Sequence, residues 1–199
     1  MIPELSSHED SFVQRLEVAT AAKQRLAQAA VRLIGPSEAL FVDSSTTGYF
    51  VARQIVRENV KCTIVTNSVP VMQLVADAHA TQIDLIGTGG SLRKLTRSYV
   101  GPLALAGVEA HFADLAVFSV KGVTESGHLT DPDMLEADVK RAMIRHARRP
   151  VLLIDGSKFQ RPALSVIADA GAPAVVLAAD VDQDLLAPLA DAGADIRTV

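Results

Sequence analysis

Apolar positions recur along this chain in two rhythms that alternate from the first quarter onward. Phe12, Leu16, Ala19, Leu26, Ala30 and Leu33 follow helical spacing, with Lys23 filling one position of the stripe. Ser11 and Gln14 stand at capping-box spacing at its start, and Gly35-Pro36 closes it. The pattern therefore predicts one long helix over 12–34, whose apolar stripe must pack on the rest of the chain or on another chain. Beyond it, short apolar runs alternate with helical patterns. Strands are expected over 39–43, 62–66, 82–86, 115–120, 151–154, 174–178 and 196–199. Helices are expected over 49–56, 69–78, 102–107, 132–148 and 183–189. Asp131 is placed as the N-cap of the 132–148 helix, with Pro132 at its first position and Pro150 ending it. Near-continuous apolar strands separated by helices imply an α/β fold with a mostly parallel sheet in three layers. The polar residues 1–10 are expected to be loose. Without a repeat or an internal linker, the chain divides into a lead-in over 1–36 and one α/β domain over 37–199.

In an open parallel sheet, ligands sit beyond the carboxyl ends of the strands. Polar groups gather there after every main strand. The first is followed by Asp43, Ser44, Ser45, Thr46, Thr47 and Gly48, and the second by Asn67 and Ser68. The third leads to Gly89 and Gly90 with Arg93 and Lys94, the fourth to Lys121, and the fifth to Asp155, Ser157 and Lys158. A strand running through hydroxyls and a glycine into a helix suits an anion, which meets backbone N–H groups and the positive end of the helix dipole. It is not a Walker A sequence, so a metabolite phosphate fits better than a nucleoside triphosphate. The same residues also fit a plain helix cap, and both readings stand at this point. Arg93 or Lys158 would neutralise a phosphate, and Asp43 or Asp155 would accept from sugar hydroxyls. Glu136 and Lys140 lie one turn apart on a helix whose core face is read as Leu135, Val139 and Ala142. Spacing leaves them as a surface ion pair or as groups at a pocket mouth.

Composition narrows the classes. Hydrophobic residues make up 49% of the 199, which excludes a disordered chain. The formal net charge of −4 argues against strong nucleic-acid binding by this chain itself, and Arg145, His146, Arg148 and Arg149 read as dipole-favoured cations at a helix end. The single cysteine, Cys62, excludes a disulfide framework and reads as a buried, inert thiol. The five histidines lack ligand spacing, so no metal is expected, and no cofactor is called for. The start lacks signal-peptide features, and no apolar run would span a bilayer, so a cytoplasmic protein without membrane contact is expected.

Several of these motifs, taken together and in order, resemble the effector-sensing domain of DeoR-family bacterial transcriptional regulators. They are Asp43-Ser44-Ser45-Thr46-Thr47, Thr66-Asn67-Ser68, Gly89-Gly90 with Arg93, Gly127-His128-Leu129-Thr130, Glu136-Ala137 with Lys140-Arg141, and Asp155-Gly156-Ser157-Lys158-Phe159. Ser11-Phe12 with Arg15, followed by Lys23, resembles the segment that follows that family's DNA-binding domain. Gly156 departs from the pattern, which commonly has serine there.

The resemblance implies a Rossmann-like sheet similar to that of ribose-5-phosphate isomerase and CoA transferases. It implies a cleft lined by Asp43, Ser45, Thr46, Thr47, Asn67, Gly89, Gly90, Arg93, Glu136, Lys140 and Lys158, with a phosphorylated sugar or related metabolite as effector. It further implies a homo-oligomeric repressor that meets operator DNA through a helix-turn-helix missing from this sequence. The function expected is thus effector sensing without catalysis. The competing reading is an aldose–ketose sugar-phosphate isomerase, with Glu136 or Asp155 as base and Lys158 as electrophile.

Overall fold

The computed structural model describes residues 10–159 and 162–199, so the loose segment expected over 1–10 falls, but for Asp10, outside the described residues. The elements in order are α1 (Phe12–Glu17), α2 (Thr20–Val31), β1 (Ala39–Val42), α3 (Thr46–Glu58), β2 (Cys62–Thr66), α4 (Val69–Asp77), β3 (Ile83–Gly87), β4 (Ser91–Arg93), β5 (Ser98–Val100) and α5 (Pro102–Glu109). They continue with β6 (Ala113–Phe118), β7 (Gly122–Val123), β8 (Leu129–Asp131), α6 (Met134–Arg145), β9 (Ala147–Asp155), a 3₁₀ turn (Gly156–Phe159), β10 (Ser165–Ala168), β11 (Val175–Ala179), α7 (Gln183–Asp191) and β12 (Asp195–Thr198).

Among the described residues, seven strands form one sheet in the order β12-β11-β9-β6-β1-β2-β3, and every neighbouring pair is parallel. The central strands bury both faces, and their side chains alternate between two cores. Leu40, Val42, Ile64, Leu115, Val117, Val151 and Leu153 pack with α2, α3 and α4 on one side. Phe41, Val65, Ala116, Leu152 and Ile154 pack on the other, against α5, α6 and α7. This is the expected three-layer α/β architecture with helices on both faces. The chain starts in the middle at β1, winds out to β3, and returns to β6 on the other side of β1. The β1/β6 junction is therefore the point where the winding reverses, and a crevice opens there beyond the strand ends.

The long helix expected over 12–34 is instead two. Val18 is extended and Ala19 is left-handed at φ 50°, which breaks the helix between α1 and α2. The Lys23 ammonium reaches back and donates to the Arg15 and Val18 carbonyls at 2.5 and 2.6 Å, capping the end of α1. The capping box at Ser11 and Gln14 is present as read. The start of α6 is also corrected. Asp133, not Asp131, is its N-cap and accepts from the Glu136 N–H at 3.0 Å. Asp131 instead ends β8 and pairs with Ser165 of β10. The helix ends at Arg145, because Ala147, Arg149 and Pro150 are already paired with β6. Pro150 is therefore a strand residue, and Arg148 and Arg149 do not lie on the helix. Two small antiparallel pieces had no expectation: the β4–β5 hairpin and the β10-β8-β7 sheet.

Candidate functional site

β1 delivers Asp43 to the reversal point with no exposure to solvent. Its Oδ1 accepts from the Ser45 N–H at 3.1 Å and the Ser45 hydroxyl at 2.5 Å. Its Oδ2 accepts from the Ser119 N–H at 3.1 Å and from the Lys140 ammonium at 2.5 Å. Asp43 thus ties the end of β1 to the end of β6 and to α6. Lys140 also donates to the Ser119 carbonyl at 2.9 Å. Burial pushes the Lys140 ammonium down, but Asp43, Asp131 and Glu136 push it up further, so its net direction is up and it stays charged.

Ser45 is the N-cap of α3 and accepts from the Gly48 N–H at 2.9 Å, while the Tyr49 N–H donates to the Ser45 carbonyl. The Thr46 and Thr47 amides, first in the helix, are left without an intrahelical acceptor. The two readings of this loop are therefore compatible: Ser45 caps the helix, and Thr46 and Thr47 present the anion-favouring end. Gly48 fits no larger residue, since a Cβ there would stand 2.6 Å from Asp43 Oδ1.

Above this helix end lies a cavity of about 240 Å³. That is below the roughly 300–1,000 Å³ usual for drug-sized ligands and suits a small polar metabolite. Ser45, Thr46 and Thr47 line its floor, Ser119, Val120 and Lys121 follow β6, and Asp155, Ser157 and Lys158 follow β9. Asp131 and Lys140 close another side, and Asp10, Arg15, Val18, Ala19 and Lys23 come from the N-terminal segment. Its cations crowd one another. Burial, with Lys158, Arg15 and Lys121 nearby, pushes the Lys23 ammonium down to about 8 against the raising effect of Asp155. Burial also lowers Lys158, with Arg15 and Lys140 adding to it and Asp155 opposing. A bound anion would relieve both. A wider groove of about 500 Å³ is lined mainly by Phe12, Leu16, Tyr49, Val69, Pro70 and Leu74, and among the described residues its one cationic side chain is Arg97.

Five of the eleven residues expected at the cleft, Ser45, Thr46, Thr47, Lys140 and Lys158, line the cavity. Asp43 lies beneath it. Glu136 lies behind it, buried, accepting from the Ser44 hydroxyl at 2.9 Å and from the Ser98 hydroxyl. Glu136 and Lys140 are therefore not a surface pair. Of the core face read for α6, Val139 and Ala142 are buried but Leu135 is exposed, and Glu136, Lys140 and Met143 turn inward as well. Arg93 joins the same network at one remove. It pairs with Asp133 at 3.0 Å and donates to the Thr96 hydroxyl at 3.3 Å, which is 2.7 Å from Ser98 Oγ. Asn67 does not line the cavity; its amide donates to the Tyr99 carbonyl at 3.0 Å and pins the β4–β5 hairpin to the end of β2. Gly89 and Gly90 do not line it either. Gly90, at φ 120°, lets the chain pass α5 where a Cβ would stand 2.9 Å from that of Ala104.

The lining residues absent from that expectation divide by cause. Lys121, Asp155 and Ser157 were visible as polar residues after strands. Arg15 and Lys23 precede the first strand, so the rule of strand ends does not reach them. The signals for them were a lysine inside an apolar stripe and the resemblance of Arg15 and Lys23 to a family segment, and neither of these pointed to the cleft.

Comparison with known proteins bears on what such a cavity does. The family model described as the DeoR C terminal sensor domain matches residues 18–178. The chain belongs to this family. The L-fucose operon activator of Escherichia coli (strain K12) is 33% identical over 152 residues, covering 76% of this chain and 61% of that protein. The glycerol-3-phosphate regulon repressor of Haemophilus influenzae is 30% identical over 159 residues, covering 80% of this chain and 61% of its own length. A putative aga operon transcriptional repressor of Escherichia coli O157:H7 is 28% identical over 194 residues, 97% of this chain and 71% of the relative. The sensor-domain homologues are thus transcriptional regulators, and the chain spans about three fifths of the length of the first of these relatives. Among solved structures, ribose 5-phosphate isomerase A from Methanocaldococcus jannaschii aligns with TM-score 0.50 at 16% identity, over 70% of this chain and 54% of that one. eIF2B delta from Chaetomium thermophilum aligns with TM-score 0.54 at 15% identity, over 73% and 51%. These two likenesses show the shared fold. Among the described residues no helix is long and apolar enough to cross a membrane.

Proposed function

We propose that this DeoR-type sensor domain binds a phosphorylated sugar or related small phosphometabolite in the cavity at the β1/β6 junction, without turning it over. One observation carries the reading: the free amide end of α3 opens into a small cavity that also gathers Arg15, Lys23, Lys121 and Lys158. These groups suit a phosphate dianion. Asp155, with one buried carboxylate oxygen that has no hydrogen-bond partner among the described residues, suits a hydroxyl of the same ligand. Ligand binding modulates operator DNA binding by a homo-oligomeric repressor that meets DNA through a helix-turn-helix. The effector residues of this reading are Ser45, Thr46, Thr47, Lys140 and Lys158 at the cavity, with Asp43 and Glu136 holding them in place. Asn67, Gly89, Gly90 and Arg93 shape the hairpin beside it.

Isomerase chemistry is the second reading, favoured by the proximity of Asp155 Oδ2 to Lys158 Nζ at 3.8 Å. Against it, Asp43 and Glu136 are occupied by internal donors and are not free to act as bases. Phosphorus and proton NMR of the protein with aldose and ketose phosphates separates the two readings. Broadening of a ligand signal with no new sugar phosphate over hours supports the sensor. Interconversion of aldose and ketose phosphates that Lys158→Ala abolishes would establish the enzyme.

A further inference from the structure

Buried polar side-chain atoms are normally hydrogen-bonded, and orphans call for an explanation. Among the described residues, Arg15 has two such orphans, Nε and Nη2, and Arg15 lines the cavity. These atoms share one edge of the guanidinium, the edge whose two parallel N–H groups fit two oxygens of one phosphate. Arg15 also borders the narrow crevice beside the cavity, together with Ser44, Ser45 and Lys140. Among the described residues no carboxylate pairs with it, although it stands close enough to Lys23 and Lys158 to depress both ammonium groups. A cation so placed raises the electrostatic cost of the empty cavity and lowers that of the cavity holding an anion.

Arg15 does not come from the body of the domain. It sits on α1, before the 18–178 stretch that matches the family model. α1 is held by few groups. The Phe12 N–H donates to the Leu95 carbonyl at 2.9 Å, the Phe12 ring packs edge-on against Tyr49, and Lys23 grips the carbonyls of Arg15 and Val18. The left-handed Ala19 then separates it from α2.

We propose that Arg15 is an effector-binding residue that grips the phosphate through Nε and Nη2, so that the ligand clamps α1 onto the domain. The proposal rests on the phosphometabolite reading above and adds the route by which occupancy is felt outside the family domain. The bound ligand joins the α3 end on one side to α1 on the other. Lys23 holds α1 whether or not the cavity is filled, whereas the two charge-assisted hydrogen bonds to Arg15 form only when the ligand is present. That differential is what a switch requires.

The test combines binding and hydrogen exchange on the whole chain, with inorganic phosphate and a panel of sugar phosphates as probes. Wild type, Arg15→Gln, Arg15→Lys and Lys158→Ala are compared. Arg15→Gln removes no internal hydrogen bond of the guanidinium's orphaned edge, and its unaltered melting temperature would show that it folds. Arg15→Lys keeps the charge but loses the paired edge. The expected result is that Arg15→Gln weakens binding about tenfold or more, and Arg15→Lys several-fold, as for lost charged hydrogen bonds. In wild type the amides of 12–19 should exchange more slowly with phosphate bound, and in Arg15→Gln they should not. Binding by Arg15→Gln within twofold of wild type, with Lys158→Ala clearly weakened, would overturn the role of Arg15 and leave the cavity reading intact. Silence of wild type toward every phosphate compound would overturn the cavity reading and this inference with it.

Discussion

Asp43 carries four donors on two oxygens, and one of them is a buried ammonium. Removing its charge would take the direct partner from the buried Lys140 and leave it only Asp131 and Glu136 as compensating charges. Asp43→Asn is therefore expected to cost about 3–5 kcal/mol in urea unfolding, because breaking one side of a buried pair is far costlier than losing a surface pair. A loss below about 1 kcal/mol would show that the Lys140 ammonium does not depend on this carboxylate. Lys23 gives a prediction of opposite kind. Its folded value of about 8 lies below the ordinary 10.5. Between these limits the folded chain binds fewer protons than the unfolded chain, so its contribution to stability rises with pH from about 8 to 10.5. An anion in the cavity reverses the depression caused by burial and by Lys158, Arg15 and Lys121. Binding of a sugar phosphate near pH 8 should therefore take up protons, and affinity should fall as pH climbs past about 8. The phosphate, with its second pKa near 6, is already dianionic there. Calorimetry in two buffers of different ionisation enthalpy reads the uptake, and identical heats would contradict it. Cys62 behaves as its apolar surroundings suggested: it is buried, and burial pushes its thiol up to about 11.

At the level of elements, close approach requires glycine at two positions near the site. Gly48 faces Asp43 and Gly156 faces the Asp180 carbonyl, where a Cβ would stand at 2.6 and 2.4 Å. The Gly156 contact explains why serine, common at that point in the family pattern, does not fit here. Gly48→Ala and Gly156→Ala should each cost about 1–3 kcal/mol through overpacking, measured by thermal or urea unfolding, and Gly48→Ala should also displace the Asp43 carboxylate. The central strands were legible because they are buried on both faces and read as apolar runs. What was not legible depended on contacts between distant residues. The break at Val18-Ala19 is closed by a lysine from the next helix. The choice of Asp133 over Asp131 as cap follows from β8 pairing with β10, because either acid satisfies the local rule. Arg148 and Arg149 extend a helical pattern, but pairing with β6 takes that stretch into β9, and Pro150 sits one residue before β11 begins to pair. The hairpin and the three-stranded sheet are built from strands of two to four residues, too short to show a period.

Over the whole molecule, the site follows from topology. A parallel sheet that starts at its centre and winds both ways leaves a crevice where the winding turns, and the chain fills it from β1, β6, β9, α6 and the N-terminal segment. The cleft was foreseen as a set of strand-end loops. The part contributed by α1 and α2 was not, since nothing in the spacing says that a helix before the sheet folds over its edge. The fold is shared with isomerases, and the relatives are regulators, so occupancy without turnover is the property to measure. The measurement is a thermal-shift screen of wild type and Lys158→Ala against sugar phosphates and their unphosphorylated parents. At a hundred times the dissociation constant, a ligand of the native state adds about 2.7 kcal/mol and should raise the melting temperature by roughly 5–10 °C. The prediction is such a shift for at least one phosphorylated compound, absent for its parent sugar and sharply reduced in Lys158→Ala. No shift with any phosphate, or equal shifts with the free sugars, would contradict the phosphometabolite site.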